Sequence, residues 1–277
     1  MKTNYHSHSH LCDGREPLES YVKSAIEQGM VAWGFSGHSP VPCKSTWNMK
    51  SENLPIYLSE TKRLKEKYAN EIQLYIGMEI DFIEGLVSLT DFADCELDYT
   101  IGAIHFLKQH PNGDYWDYDG SKSFFQQGVD EIFGGNIQQT VAYYYEQIIQ
   151  LVETQKPDIL AHFDLIGKFN KDNYFFNEND KWYRNLAYNA LQAISKTETL
   201  LEINTRSVFR GLLPKFHPAL YLLKSAKELG IKIILSSDAH HPREVNSLLK
   251  EAAEFAKAAG YKSAVQLFNN SWEEIAL

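Results

Sequence analysis

Seven short apolar runs punctuate this chain, and almost every one stops at a histidine, a carboxylate or an arginine. They lie at 3–8, 31–35, 72–76, 97–104, 157–161, 199–204 and 231–236. In that order they deliver His6 and His8, His38, Glu79, His105, His162, Arg206, and Asp238 with His240. Amphipathic segments at 17–28, 54–68, 181–195, 216–229 and 243–259 separate them, as does a stretch whose Ile137, Val141, Tyr144, Ile148 and Val152 share one helical face. Strand and helix alternating in this way predict a parallel sheet with crossover helices. An open doubly wound sheet would line its strand ends along one edge, where ligands from all of them cannot meet. A barrel turns every C-terminal strand end toward one mouth. The expected fold is therefore a distorted (β/α)7 barrel with its functional site at that mouth. A run at 263–268 is expected to add a short closing strand.

The spacing inside these runs points to metal. His6 and His8 are two apart, so on extended backbone both imidazoles project from one face. Asp13 follows beside Gly14, which is expected to free the chain to turn the carboxylate back toward the same point. Asp238 and His240 repeat the two-apart spacing at the last strand end. Glu79 follows an apolar run, where a buried carboxylate is costly unless a cation answers it. The candidate ligands are His6, His8, Asp13, His38, Glu79, His105, His162, Asp238 and His240. Each ion takes about four to six ligands, so a set of this size implies two or three bridged divalent ions. Imidazole mixed with carboxylate suits zinc, manganese or iron better than calcium or magnesium.

Clustered ions of this kind suit hydrolysis. They lower the pKa of water from about 15.7 to near 7 and, at roughly 3.5–4 Å apart, neutralise charge on a transferring phosphoryl group. A phosphate substrate then calls for cations at the mouth. Arg206 shares strand parity with Glu202 and Asn204 and is expected to point inward with them; Lys168 and Arg210 are further candidates. His217, before Pro218, is expected to open a helix, and His10, His110 and His241 to lie at the surface or outside the ligand shell. The stretch 106–121 reads as a long irregular loop covering the site. Its Tyr115, Trp116 and Asp117, with Trp47, are expected either to enclose an imidazole and pair an amine or to pack as a lid.

The 277 residues show no boundary, low-complexity run or repeat, so one domain spanning 1–277 is expected. A formal charge of -9 argues against a general nucleic-acid binder. There is no apolar signal region and no run of apolar residues long enough for a membrane span, and a cytoplasmic location is expected. Cys12, Cys43 and Cys95 lack paired spacing and read as reduced thiols, with Cys12 a small filler beside the histidines.

Taken together, His6-Ser7-His8 with Asp13-Gly14, Phe35-Ser36-Gly37-His38-Ser39-Pro40, Gly77-Met78-Glu79-Ile80-Asp81, Ile101-Gly102-Ala103-Ile104-His105-Phe106, His162-Phe163-Asp164-Leu165-Ile166, Glu202-Ile203-Asn204-Thr205 and Ser236-Ser237-Asp238-Ala239-His240 resemble the polymerase and histidinol phosphatase (PHP) superfamily. The middle motifs are similar to its histidinol-phosphatase branch. That resemblance implies one metal on His6, His8, Glu79 and Asp238, a second on Glu79, His105 and His162, and a third on Asp13, His38 and His240, with Glu79 bridging the first two. It also implies Glu79, Asp238 and His240 as catalytic residues and L-histidinol phosphate as substrate. Where some relatives carry arginine after the fifth strand, this chain reads Leu165-Ile166-Gly167-Lys168. The alternatives are a PHP phosphoesterase acting on a nucleotide or on protein phosphotyrosine, and a metal-dependent binding subunit without turnover.

Overall fold

The structure is a computed structural model and describes residues 2–277. Its eleven strands are β1 (Thr3–Asn4), β2 (Ala32–Phe35), β3 (Gln73–Asp81), β4 (Tyr99–Ala103), β5 (Phe106–Gln109), β6 (Tyr115–Asp117), β7 (Ile159–Leu160), β8 (Leu200–Asn204), β9 (Ile233–Ser236), β10 (Ser263–Phe268) and β11 (Ser271–Ala276). The helices are α1 (Leu18–Glu27), α2 (Leu54–Lys67), α3 (Lys122–Phe133), α4 (Ile137–Thr154), α5 (Lys181–Ile194), α6 (Arg206–Phe209), α7 (Leu220–Glu228) and α8 (Leu249–Ala258). Seven strands form one sheet in the order β1-β2-β3-β4-β7-β8-β9, and every neighbouring pair is parallel. The sheet curls until its edges meet at Ser7 and Ala239. There the His8 N–H donates to the Ala239 carbonyl at 2.8 Å and the Ala239 N–H to the His6 carbonyl at 3.1 Å. The seam of the expected barrel is thus made by the two histidine-bearing motifs themselves.

Period-two alternation sorts the strand residues between two cores. On β3, Leu74, Met78 and Ile80 pack in the layer between sheet and helices, while Tyr75 joins the barrel interior. Gly77 shares the inward face because a Cβ there would stand 2.3 Å from the Tyr99 ring. Glu79 and Asp81 continue that inward face toward the mouth. Leu201 and Ile203 of β8 likewise face the helices, and Leu200 the interior, which leaves Glu202 and Asn204 pointing inward above it.

The opposite end of the barrel is closed by side chains and by a plug. Tyr5, Tyr75, Tyr99, Ile101, Ile159, Leu200 and Ile234 fill it, and the antiparallel hairpin β10–β11 seals it with Val265 and Leu267. Tyr5 Oη donates to the Leu267 carbonyl at 2.6 Å, and the Trp272 ring lies edge-on to Tyr5 and Tyr99. The run at 263–268 is therefore no barrel strand. Asn269 and Asn270, both at positive φ, fold it back on β11 and keep it out of the parallel sheet.

Other boundaries also move. The strand expected at 72–76 runs on to Asp81, so Glu79 lies inside β3. Residues 106–121 are not irregular throughout: β5 and β6 pair as a hairpin, Phe106 opposite Asp117 and Gln109 opposite Tyr115. The helix expected over 216–229 starts only at Leu220, because Asp164 holds the preceding residues. Its carboxylate takes the Ala219 N–H at 3.1 Å and the His217 Nδ1 at 2.6 Å. The last helix starts at Leu249, after a single 3-10 turn at Pro242–Glu244.

Candidate metal centre

The mouth opens into a cleft of about 260 Å³ lined by Asp13, His38, Glu79, His105, His162, Asp238 and His240 among others. Glu79 stands at its centre. Glu79 Oε2 lies 3.2 Å from His6 Nε2, 3.5 Å from His8 Nε2 and 3.0 Å from His38 Nδ1; Oε1 lies 3.1 Å from His162 Nε2 and 3.9 Å from His105 Nε2. Asp238 Oδ1 is 3.3 Å from His8 Nε2 and 3.8 Å from His6 Nε2. Asp13 faces the outer side of the cluster, with Oδ2 2.9 Å from His240 Nε2 and Oδ1 3.4 Å from His8 Nδ1. Potential ligand atoms lie within 4.8 Å of one another in His6, His8 and Asp238, in Glu79, His105 and His162, and in His8, Asp13, His38 and His240. All nine residues singled out from the sequence meet here.

The donor atoms fit cations. His6 Nε2, His8 Nε2, His38 Nδ1, Glu79 Oε2 and Asp238 Oδ1 are buried and make no hydrogen bond among the described residues. Buried polar atoms are normally paired, so five facing one point mark a site built for an electrophile. Nitrogen mixed with carboxylate oxygen suits divalent transition metals.

The candidate ligands are aimed by residues that lie within the sequence motifs but are not themselves among the nine. Asp81 Oδ1 lies 2.6 Å from His105 Nδ1, and Glu202 Oε1 2.5 Å from His6 Nδ1, which turns each Nε2 inward. Glu202 Oε2 also accepts the His162 backbone N–H at 2.9 Å and Asn204 Nδ2 at 3.1 Å, and Asn204 Nδ2 reaches Asp238 Oδ2 at 3.1 Å. Both Asp81 and Glu202 share strand parity with an inward ligand or site residue, the one signal that would have found them. His162 and Asp238 take positive φ, 24° and 52°. Such backbone costs on the order of 1–3 kcal/mol per residue and persists where neighbours hold it. Gly14, by contrast, is not at positive φ. Glycine is needed there because a Cβ would meet the His8–Ser9 backbone at 2.4–2.5 Å, which packs the Asp13 loop directly on the first motif.

Protein charges set the protonation states. Burial would raise Glu79, but His38 and His6 hold it well below the usual carboxylate range. Burial, with His240 and His38 nearby, pushes His8 down to about 3, so it stays neutral. Burial opposes protonation of His105 and His240 as well, yet Asp81 lifts the first to about 10 and Asp13 the second to about 9. A cation binding at those two must displace a proton.

The proposed anchors fare differently. Arg206 lines the cleft and its Nη1 donates to the Asp238 carbonyl at 2.8 Å. It gets there by a turn rather than by strand parity, because β8 ends at Asn204, whose Oδ1 accepts the Arg206 N–H at 3.0 Å as α6 begins. Lys168 also lines the cleft, but Asp119 takes its Nζ through Oδ2 at 2.8 Å and through its carbonyl at 2.7 Å. Arg210 is exposed and outside the cleft lining. Of the aromatic loop residues, Asp117 and Trp47 line the cleft, Tyr115 faces a neighbouring cavity, and Trp116 is fully buried against Gly128. His217 opens no helix: it sits in the cleft wall between Asp164 and Ser207, with Nε2 2.9 Å from Ser207 Oγ. His10 is exposed, His110 is buried with Nδ1 2.8 Å from Glu131, and His241 caps the 3-10 turn before α8.

Residues 4–206 match the family model of the PHP domain. The chain belongs to that family. The Schizosaccharomyces pombe protein named "Probable histidinol-phosphatase" is 30% identical over 267 residues, spanning 88% of this chain and 82% of its own. The Bacillus subtilis histidinol-phosphatase is 26% identical over 262 residues, spanning 88% of this chain and 96% of its own. Among solved structures, a Listeria monocytogenes protein superposes with a TM-score of 0.78 at 22% identity, covering 90% of this chain and 99% of that one. The histidinol phosphate phosphatase of Lactococcus lactis, solved with zinc, L-histidinol and phosphate, superposes with a TM-score of 0.70 at 22% identity over 98% of each chain. The likeness to these two structures concerns the fold, and the PHP barrel described above is the fold they share.

Proposed function

We propose that this PHP domain is a metal-dependent histidinol-phosphatase that hydrolyses L-histidinol phosphate to L-histidinol and phosphate. The observation that carries a hydrolytic reading is the convergence of five unpaired, buried donor atoms, Glu79 Oε2 among them, at the barrel mouth. The substrate follows from relatives of that name, which align over most of the chain. Two or three divalent ions, of zinc, manganese or iron, would be held by His6, His8, Glu79 and Asp238, by Glu79, His105 and His162, and by Asp13, His38 and His240. When bound, such ions supply hydroxide at neutral pH and neutralise charge on phosphoryl oxygens.

The chain's own residues do the rest. Glu79 and Asp238 keep their carboxylates ionised toward the cluster centre, and Glu202 and Asp81 hold His6 and His105 in the tautomer that presents Nε2. His240 bonds Asp13 and the Asp238 carbonyl, which fixes it at the rim beside the reacting group. Arg206, next to Asp238, offers its remaining guanidinium donors to a phosphate oxygen. Lys168 is a secondary contact, since Asp119 offsets its charge. As an enzyme of amino-acid biosynthesis, the protein would act in the cytoplasm.

The test is phosphate release by manganese-reconstituted protein from L-histidinol phosphate beside nucleotides, sugar phosphates and phosphotyrosine. A kcat/KM for histidinol phosphate well above the others is expected. A flat panel, or a preference for a nucleotide or phosphotyrosine, would overturn the substrate.

A further inference from the structure

Two carboxylates stand on one wall of the cleft, Asp117 at the end of β6 and Asp119 just beyond it. Asp119 is answered by the Lys168 ammonium. Asp117 pairs with no lysine or arginine among the described residues: its Oδ2 accepts the neutral indole N–H of Trp47 at 2.5 Å, and its Oδ1 is buried with no hydrogen-bond partner among them. Burial and the neighbouring Asp119 push the Asp117 carboxyl up to about 7, so this wall holds one acid more than its lysine answers and gains its full negative charge when a cation arrives. Arg206 brings positive charge to the same cleft, beside Asp238.

Trp47 also fixes the spacing. Its ring centroid is 4.5 Å from that of His38 and 5.2 Å from that of His105, and it stacks on Phe106 at 5.3 Å. Asp117, bonded to the indole nitrogen, thus stands one aromatic ring away from the proposed metal ligands. That is the reach of a short carbon chain. A phosphoryl group at the ligand cluster would carry a group on the next carbon toward this wall, and an ammonium there would meet a carboxylate whose ionised form it favours.

We propose that Asp117 is a specificity-determining residue that receives a substrate ammonium, so that the cleft selects phosphate monoesters carrying a primary amine one carbon from the ester carbon. The inference rests on the phosphatase reading above and narrows it to a substrate class. Neutral or acidic esters of the same size leave Asp117 unanswered and are disfavoured, since an unpaired buried acceptor is costly in the complex.

The experiment crosses enzyme with substrate. Wild type, Asp117→Asn, Asp117→Glu and Trp47→Phe are each assayed, with manganese, on L-histidinol phosphate and on its analogue lacking the amine. Asparagine keeps an acceptor for the indole but loses the charge. It should reduce the preference for the aminated ester by roughly 10- to 100-fold, mainly through KM, and glutamate should restore part of it. Trp47→Phe removes the indole bond and keeps the carboxylate, so the preference should persist. Equal losses on both substrates in Asp117→Asn, leaving the ratio unchanged, would make Asp117 a mere anchor for Trp47 and overturn the proposal. Should wild type hydrolyse neither imidazole ester yet cleave other phosphates, the histidinol phosphate reading falls on its own. The ratio for 2-aminoethyl phosphate against ethyl phosphate then decides the role of Asp117, with the same two outcomes.

Discussion

The two ends of the barrel are built from the same strands and have opposite chemistry. At the mouth, inward positions carry Glu79, Asp81, His105, Glu202, Asn204 and Asp238, with buried polar atoms left unpaired at Glu79 and Asp238. At the other end, the inward positions of those strands carry Tyr75, Tyr99, Leu200 and Ile234, sealed by the β10–β11 hairpin with its hydrogen bond from Tyr5 to Leu267. One end concentrates cost and the other burial. A parallel barrel can divide labour in this way because each strand keeps one face inward along its length, so moving two residues along it changes the task without changing the direction.

Substitutions at the two ends should separate activity from stability. The largest effect is expected for Glu79→Ala, which removes the carboxylate shared by His6, His8, His38 and His162. Metal content by elemental analysis should fall, and kcat/KM should drop by more than the roughly 10–100-fold typical of losing an outer partner. A metal-replete, active variant would remove Glu79 from the centre of the site. Glu202→Gln is the intermediate case. It weakens the hold on His6 without touching a metal donor, and a loss of about 10–100-fold in metal affinity or turnover is expected by titration and steady-state kinetics. Trp272→Ala acts at the far end and should leave kcat unchanged while costing roughly 2–3 kcal/mol of stability by denaturant unfolding, since the ring packs on Tyr5 and Tyr99 but stays partly exposed. A fall in kcat in that variant would show that the two ends are coupled and break the division.

Legibility in the sequence followed the range of the physics. The seven strands and the convergence of their ends could be read because alternation and amphipathic spacing are local. The pairing of His6 with His8 rests on the same two-residue period, whereas Asp238 lies beyond β9 at positive φ and meets His240 through a turn. Glu202 was expected to point inward, but its bond to His6 could not be read, because it joins residues 196 apart and depends on how β8 curls toward β1. Lys168 read as an available cation for the same reason: Asp119, which takes its charge, is 49 residues away. Trp116 looked like a cleft residue from its neighbours Tyr115 and Asp117, yet one step along a strand reverses the side chain, and it went under Gly128 while Asp117 faced the cleft.

The sequence alone determined the candidate ligands' residue types, their strand-end positions and the barrel that lets them meet, because each depends on short-range periodicity. Tertiary structure decided which polar groups are answered and which are left open. Asp119 has its lysine and Asp117 does not; the final hairpin plugs the barrel instead of extending it; His217 lines the cleft instead of starting a helix. Charge compensation and burial are sums over neighbours brought together from distant parts of the chain, and that sum exists only once the barrel has closed.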